Sequence, residues 1–288
     1  MTQVGLFGLG LIGQALTRRL VAAGYRVVGY DPSPFAVQAF EALGGLSASA
    51  ERVWQAKIIL TAVFDTGQLG EVIASAPDGT GAVLISTSTC DPAAMPDLSR
   101  LAKAKQIDLI EAPLSGTSKD LANGHAVFLL GGDATVCAAH SALFDALGRA
   151  HHYLGEIGQG NRAKLAVNLV LGLNRAALAE GLVFAKGLGL DPAAFLALLQ
   201  VTAASSAVMA GKGPLMVNRD FRPLGRIAQS AKDFSLIRAA GAQTGKVLPF
   251  TQTYLQMMQD CLNHDEGELD NSAILLAIER ATSTGQDK

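Results

Sequence analysis

The hydrophobic pattern divides the chain in two. From the N-terminus to about residue 131, short apolar runs without helical period alternate with amphipathic stretches. Runs at 4–7, 26–30, 57–63, 82–86, 107–111 and 126–131 predict buried strands, and stretches at 14–23, 34–43, 69–74 and 93–105 predict helices. Strand after helix after strand predicts a doubly wound, mostly parallel sheet, whose ligands sit at the carboxyl ends of the strands. The loops 64–68, 88–92 and 113–117 fall at those ends. Beyond residue 160 the pattern is helical throughout, with segments at 161–188, 192–200, 204–211, 228–243, 249–262 and 268–282. The expected architecture is an α/β N-terminal domain over 1–158 and an all-α domain over 159–288, joined by a long helix. The glycine- and polar-rich stretch 151–160 marks the boundary.

That joining helix, drawn from 158–189, is apolar on most sides and contains no proline. A helix apolar nearly all round is a buried one. At ~1.5 Å per residue it could reach about 40 Å, enough to join two domains. Its first half carries one sparse polar line, Asn161, Lys164, Asn168 and Arg175, within roughly 60° of helix circumference. Lys164 and Asn168 are one turn apart, so both can reach one small molecule. Arg175 lies about 16 Å beyond Lys164 along the axis and serves something else. The plainer reading of Lys164 is a side chain snorkelling out of a packed helix.

Composition narrows the classes. With 49% hydrophobic and 17% charged residues in 288, the chain is a compact globular protein with room for two domains. A formal net charge of -2 with no basic run argues against nucleic acid and anionic membrane surfaces as partners. Lys164, Asn168, Asn174, Arg175 and Glu180 interrupt the long helix too often for a membrane span. Cys90, Cys137 and Cys261 are far apart and form no CxxC pair, which fits a reducing cytoplasm and no disulfide scaffold or zinc site. The N-terminus lacks the basic start of a signal peptide. No metal is expected: the five histidines show no ligand spacing, His151-His152 reads as a solvated linker, and the acidic group Asp265, Glu266, Glu268 and Asp270 as a solvated loop.

The first strand runs directly into Gly8-Leu9-Gly10-Leu11-Ile12-Gly13, and a helix follows. GxGxxG in this strand–helix context is a dinucleotide fingerprint. Gly8 permits the tight turn, Gly10 lets backbone approach a pyrophosphate, and Gly13 lets helix and strand pack closely. The helix N-terminus offers free N–H groups and the positive end of its dipole to the phosphates. Asp31 ends the second predicted strand 18 residues beyond Gly13, close to the ~20 expected of a ribose-binding carboxylate. A carboxylate there accepts from ribose hydroxyls and repels a 2′-phosphate, and the next residue is Pro32 rather than an arginine. The expected cofactor is therefore NAD, with NADP disfavoured.

At this point the chain resembles the β-hydroxyacid dehydrogenase family, which includes 3-hydroxyisobutyrate dehydrogenases and tartronate semialdehyde reductases. The likeness spans nearly the whole length. It rests on Gly8–Gly13, on Glu111-Ala-Pro-Leu-Ser-Gly-Thr117 against the family's Asp-Ala-Pro-Val-Ser-Gly-Gly, on the Gly158-to-Asn168 motif against its Gly-x-Gly-x-x-x-Lys-x-x-x-Asn, and on Lys232-Asp-Phe against its Lys-Asp-Leu. The resemblance implies an NAD-dependent dehydrogenase or reductase acting on a small carboxylate-bearing 3-hydroxy acid or semialdehyde. It implies Lys164 as catalytic acid/base, with burial lowering its pKa so that both forms are accessible. Ser115 and Gly116 would bind the substrate carboxylate beside Thr117, and Asn168 would hold the substrate or orient the amine. Thr89 and Lys232 would touch the cofactor, with Val63, Phe64 and Gln68 lining its site.

Among the departures from the family pattern, four bear on the pocket and the cofactor site. Thr117 replaces a glycine, so a side chain narrows the pocket or adds a hydroxyl and forbids a glycine-only conformation. Phe64 replaces a proline, and Gly225 and Gln229 replace an aromatic and an apolar residue. Two rival readings follow: an imine reductase, which usually lacks the catalytic lysine, and a non-catalytic dinucleotide-sensing protein, which would need no Lys-Asn pair. The apolar, alanine-rich second domain predicts a homodimer or homotetramer; a monomeric mass by sedimentation would refute this.

Overall fold

The computed structural model describes residues 2–283 and divides into two compact units, the first ending at Lys164 and the second beginning at Leu165. The first unit opens β1 (Gln3–Phe7), α1 (Leu11–Ala22), β2 (Arg26–Tyr30), α2 (Pro34–Glu41), β3 (Leu46–Ser47), α3 (Ala50–Val53), β4 (Ile58–Thr61) and α4 (Thr66–Ala74). It continues β5 (Val83–Ser86), α5 (Met95–Ala104), β6 (Asp108–Glu111), β7 (Leu114–Ser115), α6 (Ser118–Ala122), β8 (Val127–Leu130), α7 (Ala134–Ala139), α8 (Ser141–Leu147) and β9 (Ala150–Tyr153).

Six strands form one parallel sheet in the order β3-β2-β1-β4-β5-β6. The chain reverses its direction of winding between β1 and β4, the switch point at which ligands bind in such sheets. The strands read as continuous apolar runs because both faces are covered. Alternate residues go to opposite sides: Leu6, Leu60, Ile85 and Ile110 pack in one core with Leu16, Leu20 and Phe128, whereas Phe7, Ile59, Leu84 and Leu109 pack in the other with Trp54 and Leu69.

The expected sixth parallel strand is instead the middle of a second, three-stranded sheet, β7-β8-β9, in which β7 runs antiparallel to β8. All but the first residue of the strand β9 fall in the stretch expected to be a linker. Its sequence, Ala-His-His-Tyr, has no apolar run to announce it, and its pairing partner β8 supplies the ladder. His151 belongs to that strand, with its ring 5.7 Å from the ring of Phe144.

The helix α9 (Gln159–Gly187) starts in the first unit and runs into the second. The compact units divide inside this helix, between Lys164 and Leu165. The reason is local: the opening turn of α9 is hydrogen-bonded to Glu111 at the end of β6. By length and composition α9 could cross a membrane, but Asn168 and Arg175 on it are buried against protein hydrogen-bond partners. The second unit adds α10 (Pro192–Gln200), α11 (Ala207–Asn218), α12 (Ile227–Gln243), α13 (Pro249–Asn263), a 3-10 turn at Asn271–Ala273 and α14 (Ile274–Ser283). The helix expected at 204–211 extends to Asn218 through Pro214. Leu178, Leu182, Met216, Phe234, Tyr254, Met258 and Ile274 form the core of this unit. Phe234 stacks on Tyr254 with centroids 3.9 Å apart, in the space that Gly172 leaves: a Cβ there would lie 2.4 Å from the Phe234 ring.

Candidate active site

The turn after β1 separates its three glycines by job. Gly8 has φ +87, and a Cβ on it would lie 2.5 Å from the Ala62 carbonyl oxygen, so the turn is pressed against the end of β4. A Cβ on Gly13 would lie 2.1 Å from the Gly8 carbonyl oxygen, so α1 packs onto the turn only without one. A Cβ on Gly10 would meet no protein atom within 4 Å. Gly10 is also the N-cap of α1, with no side-chain cap and no acidic residue in the first turn. The start of α1 is therefore uncapped, with space beside Gly10 at the switch point, as a pyrophosphate cradle requires. Asp31 stands beside it: Oδ2 accepts the Leu9 N–H at 2.7 Å and Oδ1 the Ser33 N–H at 2.8 Å. These observations fit a dinucleotide, with its phosphates over Gly8–Gly13 and a ribose at Asp31.

The loops after β4 and β5 are tied together. Ser88 donates its hydroxyl to the Val63 carbonyl at 2.7 Å, and the Asp91 N–H donates to the Thr66 hydroxyl at 2.9 Å. Gln68 accepts the Phe64 N–H at 2.8 Å while Asp65 caps α4, which leaves the Phe64 ring exposed. Thr89 is buried, next to Cys90. Val63, Phe64, Gln68 and Thr89 thus share one end of the sheet with the glycine turn.

After β6 the chain passes through Ser115 to Gly116, whose φ of +135 favours glycine. Thr117 follows with φ -83, an ordinary extended conformation. It caps α6 in a reciprocal box: its hydroxyl accepts the Asp120 N–H at 3.1 Å and donates to Asp120 Oδ2 at 2.7 Å, and Oδ2 also accepts the Thr117 N–H. The departure from glycine is therefore a helix cap, with the hydroxyl committed to Asp120 rather than added to a pocket.

Lys164 lies in the second turn of α9 and is only 8% exposed. One turn on, in the second unit, Asn168 donates its amide to Asp233 Oδ2 at 2.8 Å. Asp233 also accepts from Gln229 at 3.3 Å and pairs with Lys232 at 3.0 Å. Residues 229, 232 and 233 share one face of α12 by their i, i+3, i+4 spacing. Asp233 is the organising residue here, and sequence reasoning passed over it; its signal was the acid in Lys232-Asp-Phe. Gln229, a departure from the family pattern, is explained by its bond to Asp233. Gly225 sits in the loop before α12, its N–H donated to Asp270 at 3.1 Å. Arg175 is buried against other groups, donating to Tyr254 at 2.6 Å and, at 3.5 Å, to Ser230.

Three of the four acids near the C-terminus are ion-paired. Asp270 meets Lys212 at 2.8 Å, Glu266 meets Arg280 at 2.7 Å and Glu268 meets Arg226 at 3.0 Å. Asp270 is fully buried rather than part of a solvated loop.

Two family profiles match successive parts of the chain. Residues 3–155 match the NAD binding domain of 6-phosphogluconate dehydrogenase, and residues 158–278 match a domain described as NAD-binding of NADP-dependent 3-hydroxyisobutyrate dehydrogenase. The 2-hydroxy-3-oxopropionate reductase of Escherichia coli K12 is 30% identical over 284 residues, covering 96% of this chain and 97% of that protein. The 3-hydroxyisobutyrate dehydrogenase of Mycobacterium tuberculosis, solved with L-serine, superposes with a TM-score of 0.82 at 26% identity, covering 96% and 99% of the two chains. Psf3, solved with NADP+ and 2-OPP, shares the fold with a TM-score of 0.88 at 20% identity, covering 96% and 99%. The NADP-dependence in the second profile's description leaves NADP no less expected than NAD.

Proposed function

From the premise that this chain belongs to the β-hydroxyacid dehydrogenase family and is a dinucleotide-binding oxidoreductase, we propose that it moves a hydride between NAD(H) and a small 3-hydroxy acid or its semialdehyde, with Lys164 as general acid/base. The observation that carries the reading is Lys164 itself. It is a buried amine on a helix whose first turn is bonded into the dinucleotide-binding unit, at Glu111 and, through Asn161, at Cys90 beside Thr89.

When bound, the nicotinamide donates or accepts the hydride. In oxidation the Lys164 amine takes the hydroxyl proton; in reduction its ammonium gives a proton to the carbonyl oxygen. The Ser115 hydroxyl and the Gly116 N–H hold the substrate carboxylate, and Thr117 stiffens their loop by capping α6. Asp233 fixes the rotamer of Asn168, which in this reading holds the substrate or the Lys164 amine. The turn Gly8–Gly13 holds the phosphates through its backbone, while the Leu9 N–H stays with Asp31.

The choice of NAD over NADP rests on Asp31. Its carboxylate is bonded to the backbone of the glycine turn, so a 2′-phosphate on the same ribose would meet a like charge within a few ångströms, next to Pro32 rather than an arginine.

The test is an initial-rate screen of 2- and 3-hydroxy acids and their semialdehydes with both cofactors, beside Lys164→Ala. The expected result is turnover on a 3-hydroxy acid or semialdehyde, a preference for NADH over NADPH, and a loss of about 10²- to 10⁴-fold in Lys164→Ala with cofactor binding intact. A Lys164→Ala enzyme within tenfold of wild type would refute the acid/base role, and a preference for NADPH would refute the role given to Asp31.

A further inference from the structure

Glu111 ends β6, one residue before the loop that leads to Ser115 and Gly116, and it is fully buried. No arginine, lysine or histidine forms an ion pair with it among the described residues. Its partners are all N–H donors. Oε2 accepts the Gly158 N–H at 2.8 Å and the Gly160 N–H at 3.1 Å, and Oε1 accepts the Asn161 amide at 2.8 Å. Asn161, also fully buried, turns its Oδ1 to accept the Cys90 N–H at 2.7 Å. Two glycines make room for this contact. A Cβ on Gly131 would lie 2.3 Å from Glu111 Oε2, and one on Gly160 would lie 2.7 Å from the Leu129 carbonyl oxygen.

We propose that Glu111 is a positioning residue for the hydride-transfer site, a buried carboxylate that registers the Lys164 helix against both the substrate loop and the cofactor loop. The inference rests on the acid/base reading of Lys164. Direction is what makes the carboxylate specific. An ionised carboxylate only accepts, so Asn161 must present its NH₂ to Glu111 and its carbonyl to Cys90. The order of the whole relay follows from one acceptor-only end. Lys164 is one turn from Gly160 and Asn161, so the rotation and depth of that first turn set where its amine emerges. Burial pushes the Glu111 carboxyl above the ordinary carboxylate range, against the pull of its N–H donors.

Glu111→Gln keeps the volume and breaks the direction. If the glutamine carbonyl faces Gly158 and Gly160, its NH₂ meets the NH₂ of Asn161; if Asn161 flips to accept it, the Cys90 N–H loses its acceptor. Either way one buried donor is orphaned. Glu111→Asp keeps an acceptor-only group at shorter reach.

Both variants are to be assayed beside Asn161→Ala and Lys164→Ala for kcat, KM and thermal unfolding, with amide hydrogen exchange followed over residues 88–92 and 156–162. The expected result for Glu111→Gln is a fall in kcat of about 100-fold, the scale of a 1 Å misplacement, with a smaller change in KM. Glu111→Asp should recover at least about tenfold of that loss, as the direction argument requires. Exchange should quicken in those two segments in Glu111→Gln, and in Asn161→Ala at Cys90. If Glu111→Gln does not fold, Asn161→Ala carries the test: faster Cys90 exchange with reduced kcat supports the relay. Wild-type kcat in Glu111→Gln or in Asn161→Ala overturns the proposal. So does a kcat loss equal in Glu111→Gln and Glu111→Asp, or accelerated exchange spread over the whole unit, since either marks a general structural role. Lys164→Ala separates the two failures: if it retains turnover, the acid/base reading fails, whereas if it is inactive and Glu111→Gln is wild-type, only the positioning role fails.

Discussion

The glycine turn allows one comparison in which binding and stability come apart. Gly10→Ala and Gly13→Ala add the same methyl group three residues apart. At Gly13 the new carbon would stand 2.1 Å from the Gly8 carbonyl oxygen, about 1.2 Å inside the ~3.3 Å at which carbon and oxygen ordinarily meet. The whole of α1, with Leu16 and Leu20 buried beneath it, must back away from the sheet. Such overpacking costs about 1–3 kcal/mol, and the gain of alanine over glycine inside a helix offsets ~0.5–1 kcal/mol of it. At Gly10 the new carbon meets no protein atom, and the backbone is extended, with φ -69. Stability should stay within about 0.5 kcal/mol of wild type. The methyl group does occupy the approach to the uncapped N–H groups of α1. Losing one hydrogen bond to a charged phosphate costs about 1.5–3 kcal/mol, which weakens binding roughly 10- to 150-fold. Urea unfolding and fluorescence titration with NADH on the same preparations read both quantities. Gly10→Ala binding NADH within threefold of wild type would remove the pyrophosphate from this turn. Wild-type stability in Gly13→Ala would remove the close approach of helix and strand.

Three further predictions concern stability, its pH dependence and reactivity. Lys212→Met leaves the fully buried Asp270 without its ammonium, and breaking a buried pair in this way costs about 3–5 kcal/mol; because Asp270 still accepts from the Leu224, Gly225 and Ser272 N–H groups, the lower end is expected in urea unfolding, and a loss below about 1 kcal/mol would refute the pair's role. Burial alone would raise the Asp270 carboxyl, but Lys212 and these donors outweigh it and hold it below the ordinary range, so its contribution is present above the unfolded pKa of ~4 and is lost as pH falls through the lowered value; the unfolding free energy should decline on acidification below about pH 4 more steeply in wild type than in Lys212→Met. Burial pushes the Cys137 thiol up to about 11 and the Cys261 thiol up to about 12, so neither should react with a disulfide reagent within minutes at pH 8 in the native protein, whereas both should react in denaturant; stoichiometric labelling of either in the folded state would show that its segment opens.

The sequence by itself determined the class of fold and the glycine turn at its switch point. Apolar runs such as Val-Gly-Leu-Phe before a GxGxxG can satisfy their backbone only in a covered sheet, and three glycines at that spacing are needed where a helix, a strand and a phosphate crowd one turn. The lysine helix was equally legible, because a nearly all-apolar helix makes each polar side chain on it conspicuous. What the sequence left out are pairings between residues far apart in the chain. The strand β9 has no apolar run of its own and exists because β8 offers it a ladder. Thr117 reads as an intrusion into a glycine loop until Asp120 turns its hydroxyl into a cap. Asp233 becomes the organising acid only when α12 brings it to Asn168. Glu111 lies 47 and more residues from the donors that surround it, and no local pattern shows that a buried carboxylate has found three N–H groups at the start of another helix. Periodicity reports which face of an element is buried; only the tertiary structure decides which distant polar group meets it there, because burial forces each such group to find a partner wherever the packed chain supplies one.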